Sequence, residues 1–128
     1  MPLLAPISVG ELYDKITILE IKAAMLADPA QRGSVLRELA ALEAVREREV
    51  VPSSELQRLC CELKALNRRL WDIEDALRIH ERDGRFDARF VELARSVYRE
   101  NDRRAALKRR INELTRSEIV EEKSYGVG

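Results

Sequence analysis

The sequence predicts an all-α fold, an antiparallel helical bundle built on a long two-helix hairpin at about 54–114, with two shorter N-terminal helices. Apolar residues recur at spacings of three and four, which is the pattern of helices that pack along one another. Only five glycines and four prolines occur in 128 residues. No stretch alternates between apolar and polar residues as a half-buried strand does. We therefore expect 1–128 to form a single helical domain.

The first two predicted helices are defined by their ends. Ser8 is placed to cap the first helix, and Glu11 completes a capping box with it. This helix is expected over about 9–27, because the residue before Pro29 resists helical geometry. A shorter second helix is expected over about 33–48.

The hairpin is predicted by two longer helical patterns on either side of a turn that contains a glycine. Ser54 and Gln57 form a second capping box, which begins a helix over about 55–82. After the turn, Asp87 caps a last helix over about 88–114. The apolar seam of the first hairpin helix consists of Leu56, Leu59, Leu63, Leu66, Leu70, Ile73, Leu77 and His80.

Polar residues interrupt the predicted seam of the last helix. The seam begins with Phe90, Ala94 and Val97, and then reaches Asn101 inside the polar run 99–104. A polar group buried there must be paired, since an unpaired one costs about 1–3 kcal/mol. One interpretation is a paired network that fixes the register of the two helices. The other is a pocket for an anionic or polar ligand.

Antiparallel pairing of the hairpin helices places this polar run opposite Asn67 and its neighbours. Folding about the turn brings Asn101 near Asn67, and Tyr98 near Trp71. A ligand-sized cavity between these residues would favour the pocket, and a filled, fully paired set would favour the network. The side chains predicted to bind a ligand are Asn67, Arg68, Trp71, Glu74, Tyr98, Asn101, Asp102 and Arg103.

The composition limits the classes of function. Lys plus Arg and Asp plus Glu both number 23, so no overall charge draws the protein to nucleic acid or to a membrane. No apolar run approaches the roughly 20 residues of a membrane span. The N-terminus lacks the basic and apolar regions of a signal peptide. We expect a cytoplasmic protein whose basic cluster at 103–116 is solvated or paired.

The sequence predicts no metal site and no cofactor. Cys60 and Cys61 are adjacent, so on a helix they point about 100° apart and suit neither a mutual disulfide nor zinc. Glu11 and Asp14 match one arm of the Mg²⁺ site of all-α nucleotide pyrophosphohydrolases. Solvated charges are the favoured interpretation in a chain that is 36% charged. Whether the protein is an enzyme stays open.

Five short blocks together point to a family. They are SxGELxDKxTILxIK at 8–22, LWxIED at 70–75, FDxxF at 86–90, ARxVYxxNDxRA at 94–105 and EEKSY at 121–125. In this order they resemble a family of small helical proteins of bacteria and phages that is classed as a domain of unknown function. The resemblance covers most of the chain except 28–55. It implies a complete small bacterial protein and carries over no activity and no site residue.

Two functions from different classes fit these observations. The first is a non-enzymatic interaction or assembly module that binds a protein partner or forms a homodimer, as the long seams indicate. The alternative is a small all-α enzyme or binder of anionic metabolites, either a nucleotide or a carboxylate or phosphate ligand, with a polar site between the two long helices. The tail at 116–128 either docks on the bundle or extends from it.

Overall fold

The computed structural model describes residues 2–117 and confirms the all-α fold. Its helices are α1 (Val9–Met25), α2 (Pro29–Glu49), α3 (Ser54–Asp83) and α4 (Ala88–Thr115). They include 83% of the described residues, which contain no strand. None of the helices within this part of the chain is both long enough and apolar enough to cross a membrane. From residue 118 onward, the predicted tail lies outside the described residues.

Side-chain caps fix the start of every described helix. Ser8, Asp28, Ser53 and Asp87 each accept a hydrogen bond from the backbone N–H three residues further on. The caps of α1 and α4 are those predicted, whereas α3 is capped one residue earlier than predicted. Gly84 ends α3 with φ 66°, a left-handed conformation that glycine adopts without steric cost.

The second helix begins earlier than predicted. It was expected from residue 33, but α2 starts at Pro29, and the Oδ2 of Asp28 accepts from the N–H of Gln31 at 2.9 Å. The prediction used proline only as a stop signal for α1. Proline is also well suited to the first position of a helix, because the N–H that it lacks has no partner there.

The buried stripe of α4 follows different residues from those predicted. Leu93 and Glu100 are buried, whereas Ala94 is exposed and Asn101 is only partly buried. The prediction was wrong at these positions because, after Phe90, the seam continues with spacings of three then four rather than four then three. The polar residue that enters the seam is therefore the carboxylate Glu100, not Asn101.

The first helix crosses one side of the hairpin from α4 to α3. At its start Gly10 approaches Lys108 of α4, and further along Glu20 pairs with Lys64 of α3 at 3.6 Å. The predicted seam of α3 is fully buried from Leu56 to Leu70, and only partly buried at the next two seam positions. The burial of this seam is therefore lower at Ile73 and Leu77, and it is restored beside the turn at His80, which is 7% exposed.

The apolar core has two parts that share α1. The cluster between α1 and the hairpin consists of Tyr13, Leu56, Leu59, Leu63 and Ile111. The cluster between α1 and α2 consists of Leu12, Ile16, Leu19 and Leu39. Because α2 packs mainly along α1, it lies on the same side of the hairpin as α1.

Candidate functional site

The start of α1 is joined to the end of α4 by a close backbone approach. The N–H of Gly10 donates to Asn112 Oδ1 at 2.7 Å, and the N–H of Val9 donates to Ser117 Oγ at 3.2 Å. The first N–H groups of a helix have no partner inside it, so a side chain of α4 and one two residues beyond its end satisfy them. A Cβ on Gly10 would lie 2.5 Å from the carbonyl oxygen of Lys108. We call this contact the α1–α4 junction.

A buried polar layer lies further along α1. The Nδ2 of Asn67 donates to Asp14 Oδ1 and to Thr17 Oγ1, both at 2.9 Å. These three residues are each at most 5% exposed. Arg104 of α4 approaches the other carboxylate oxygen of Asp14 at 4.0 Å. Asn67, predicted to face the polar run of α4, therefore bonds instead to α1.

Two buried polar atoms beside this layer have no hydrogen-bond partner within the described residues. They are the acceptor Asn67 Oδ1 and the donor Trp71 Nε1. Asn67 and Trp71 lie one helical turn apart on α3 and line the same pocket. An unsatisfied buried group costs about 1–3 kcal/mol, and native structures contain few of them. An acceptor and a donor left unpaired at one pocket are groups that a ligand would satisfy.

The pocket lies in the angle between the second half of α1 and the hairpin. Its volume is about 380 Å³, within the range of about 300–1,000 Å³ that is typical of small-molecule sites. Ile18, Ile21 and Leu70 supply an apolar floor. We call it the α1–α3 pocket. It exists because α1 moves away from α4 as it crosses the hairpin.

Charged side chains of both signs line the α1–α3 pocket. Lys22, Arg78 and Arg104 are cationic, and Glu74 and Asp75 are anionic. Among the described residues, only Arg104 of these five makes an ion pair, the 4.0 Å contact with Asp14. The other four charges are therefore free to pair with groups of a ligand.

A comparison with known protein families identifies the family of this chain. One family model matches residues 3–128. The chain belongs to the family of unknown function DUF6165. No curated protein and no solved structure matches it. The bacterial or phage origin implied by the sequence blocks stays a prediction.

Three of the eight predicted ligand-binding residues line the pocket of this DUF6165 chain. Asn67, Trp71 and Glu74 lie on one face of α3. Lys22 and Arg78 also line the pocket, as does the apolar floor from α1, and none of these was among the predicted residues. The residues from α1 could not be predicted by pairing α3 with α4, because α1 lies outside that hairpin. The spacing of Arg78, four residues after Glu74, was a usable signal, because residues four apart share a helix face.

The other five predicted residues lie outside the lining of the pocket. They are Arg68, Tyr98, Asn101, Asp102 and Arg103. Arg68 pairs with Asp72 at 3.4 Å on its own helix. Tyr98 is 53% exposed, and Arg95 and Arg99 beside it lower the pKa of its hydroxyl by hydrogen bonding. The participation of these five residues in ligand binding stays a prediction.

The polar run of α4 also forms a paired network on the opposite side of the hairpin. Glu100 accepts from Arg69 of α3 at 3.2 Å and from Arg103 at 2.8 Å. Glu100 is thus satisfied by arginines, whereas Arg104 of the same run lines the α1–α3 pocket. The interpretation of the run as a ligand site stays a prediction. On the other side of the hairpin, beyond the polar run, Lys108 is bonded to Glu11 of α1. The basic cluster is partly paired, as predicted.

The two cysteines are free thiols in different surroundings. Cys60 is partly buried and Cys61 is exposed. Burial raises the pKa of the Cys60 thiol to about 12, because a thiolate is poorly solvated there. Within residues 2–117, no group of three or more His, Cys, Asp and Glu side chains is placed to hold a metal ion.

Proposed function

We propose that this protein binds a small anionic ligand in the α1–α3 pocket. The observation that carries the proposal is the pair of buried, unpaired atoms, Asn67 Oδ1 and Trp71 Nε1, at a pocket of about 380 Å³. A ligand that donates to the first and accepts from the second would recover the cost of both.

The charges of the pocket define the chemistry of this ligand. Lys22, Arg78 and Arg104 suit a phosphate or carboxylate group, because charge-assisted hydrogen bonds to such groups are the stronger ones. Glu74 and Asp75 suit a donor group elsewhere on the same molecule. The apolar floor suits an uncharged part between them. A nucleotide or an amino-acid-like carboxylate has all three features.

The single tryptophan allows a direct test, because Trp71 lines the pocket and is the chain's one indole fluorophore. Inorganic phosphate, citrate and ADP are titrated into the protein while the tryptophan emission and the thermal unfolding midpoint are recorded. We expect at least one of these probes to change the emission and to raise the midpoint, since a ligand that binds only the folded state stabilises it.

Matched arginine variants on α3 locate the binding. Arg78→Gln removes a pocket charge, whereas Arg82→Gln removes an exposed charge of the same helix outside the pocket. We expect Arg78→Gln to weaken binding about tenfold or more, and Arg82→Gln to leave it unchanged. Equal effects of the two variants, or no response to any probe up to ~10 mM, would contradict the proposal.

A protein-interaction role is the second candidate function. It is favoured by the side of the hairpin opposite α1, where charged and small side chains of α3 and α4 lie exposed. This role does not exclude ligand binding, because the two surfaces are on opposite sides of the hairpin.

A further inference from the structure

The orientation of the Asn67 amide is fixed by its two bonds to α1. The Thr17 hydroxyl donates its proton to the backbone oxygen of Asp14 at 2.9 Å, so its oxygen can only accept from Asn67. The Asp14 carboxylate oxygen is also an acceptor. Both contacts therefore require the amide nitrogen of Asn67, which lies 2.9 Å from each oxygen. The end of the amide that stays unpaired is the oxygen, so a ligand must bring a donor to it.

The second unpaired atom requires the opposite kind of group. An indole N–H can only donate, so at Trp71 the ligand must present an acceptor. Asn67 and Trp71 are four residues apart on α3, which is about 6 Å along the helix axis. The ligand therefore carries a donor and an acceptor close together. The α-ammonium and α-carboxylate groups of an amino acid are such a pair, because a single carbon atom joins them.

The charges that line the α1–α3 pocket also call for a ligand of both signs. Glu74 and Asp75 line it together with Lys22 and Arg78, and within the described residues none of these four makes an ion pair. Glu74 and Arg78 stay apart although their spacing on α3 is one at which ion pairs form readily. A ligand with only negative charge would lie against two carboxylates, whereas a zwitterion attracts both sets of charges.

The position of the pocket along its helices disfavours a chain of phosphates. Phosphates are held in many proteins by the free N–H groups at a helix start or in a glycine-rich loop. The lining residues of α1, α3 and α4 all lie beyond the first turn of their helices, where backbone N–H groups bond within the helix. Of the two ligand classes that the pocket suits, the nucleotide is therefore the poorer match.

We infer that the ligand of the α1–α3 pocket is a free α-amino acid with an apolar side chain. Its carboxylate accepts from the indole N–H of Trp71, and its ammonium group donates to Asn67 Oδ1. Its side chain covers the apolar floor, which consists of Ile18, Ile21 and Leu70. The inference rests on the proposed function, because it names the ligand class of the same pocket.

Leucine and two analogues that each lack one of its charges test this inference. The first analogue, 4-methylpentanoate, lacks the ammonium group, and the second, 3-methylbutylamine, lacks the carboxylate. Each is titrated into the full chain by isothermal titration calorimetry, alongside citrate and ADP. We expect leucine to bind about tenfold or more tightly than either analogue, citrate or ADP, because each analogue loses one charge-assisted hydrogen bond.

A pair of α3 variants tests the part of the ammonium group. Glu74→Gln with Asp75→Asn removes the anionic lining, and we expect it to weaken leucine binding about fivefold or more while leaving 4-methylpentanoate unchanged. The matched control, Glu62→Gln with Glu81→Gln, removes two exposed charges of the same helix outside this pocket and should change neither. Circular dichroism checks that both variants are folded.

The outcomes separate this inference from the proposed function. Binding of citrate or ADP that Arg78→Gln weakens, without tighter binding of leucine, would overturn the amino-acid inference and leave ligand binding by the pocket in place. No response to leucine, citrate or ADP would overturn both. Equal losses for leucine and 4-methylpentanoate in the variant without Glu74 and Asp75 would also overturn the inference, because the ammonium group would then have no part in binding.

Discussion

The two ends of α1 make very different contacts with the hairpin. At its start, the α1–α4 junction satisfies the N–H groups of Val9 and Gly10 and leaves no space for a single methyl group. In its second half, the α1–α3 pocket leaves space and two unpaired atoms, on Asn67 and Trp71. The difference indicates that the junction fixes where α1 sits, while the pocket leaves two buried polar atoms without a partner among the described residues.

The largest expected change in the free energy of unfolding comes from a substitution at the α1–α4 junction. Gly10→Ala places a Cβ 2.5 Å from the Lys108 carbonyl oxygen, and a backbone atom cannot move aside as a flexible side chain can. We expect a loss of about 2–3 kcal/mol in the free energy of unfolding, measured by urea denaturation.

The control for this substitution is Gly33→Ala on α2. There the nearest atom to the added Cβ is Nη1 of Arg37, at 3.5 Å. Alanine favours a helix interior over glycine, so this variant should gain up to about 1 kcal/mol. If both glycine variants changed stability in the same direction, the junction would not be the tight contact described.

A smaller loss of stability is expected when the α1–α4 junction loses its hydrogen-bond acceptor. Asn112→Ala leaves the buried N–H of Gly10 without its partner, and we expect a loss of about 1–2 kcal/mol in the same denaturation experiment. Asn112→Asp retains an acceptor oxygen at the positive end of α1 and should recover part of the loss. A full loss in the aspartate variant would show that the hydrogen bond to Gly10 is not the cause.

The corresponding substitution in the pocket should have little effect or a favourable one. Trp71→Phe removes the unpaired indole N–H while retaining most of the apolar contact. We expect the free energy of unfolding to change by less than about 1 kcal/mol, and in the stabilising direction. Because this variant has no tryptophan to fluoresce, its unfolding is measured by differential scanning calorimetry. A decrease of more than about 1 kcal/mol in the free energy of unfolding would show that the indole N–H is paired in the folded protein.

The smallest expected effect is a difference in thiol labelling rates, which tests the burial of the core beside the junction without a mutation. Cys60 packs against the cluster of Tyr13 and Ile111, and burial raises its pKa to about 12. At pH 8 a thiol-specific disulfide reagent should label Cys61 at once and Cys60 slowly. The stability that the protonated Cys60 contributes is complete below the ordinary thiol pKa and decreases as the pH rises above it. Equal labelling rates would contradict this burial.

Sequence reasoning predicted the elements well because their signals are local. The caps at Ser8 and Asp87, and the apolar seam of α3 from Leu56 to Leu70, depend only on neighbouring residues. The errors arose where one local signal has two meanings. Pro29 both ends α1 and begins α2, and either Leu93 or Ala94 continues a seam from Phe90.

The lining of the α1–α3 pocket could be predicted only in part, because it depends on how α1 crosses the hairpin. Asn67, Trp71 and Glu74, predicted to bind a ligand from their position on α3, line the pocket, and their binding role stays a prediction. Lys22 was missed, since no spacing within the hairpin shows that α1 diverges toward α3 and contributes to the pocket. The diverging path follows from the glycine contact at one end and the Lys64–Glu20 pair further along, both of which join residues far apart in sequence.

The hydrogen bond between Val9 and Ser117 places two distant parts of the chain side by side at the open end of the hairpin. A short linker across this contact would turn the described chain into a closed ring. New ends could then be made at the exposed turn around Gly84, giving a circular permutant with the same helices in a different order. In such a permutant α4 would precede α1 directly, so that the α1–α4 junction would become a local contact.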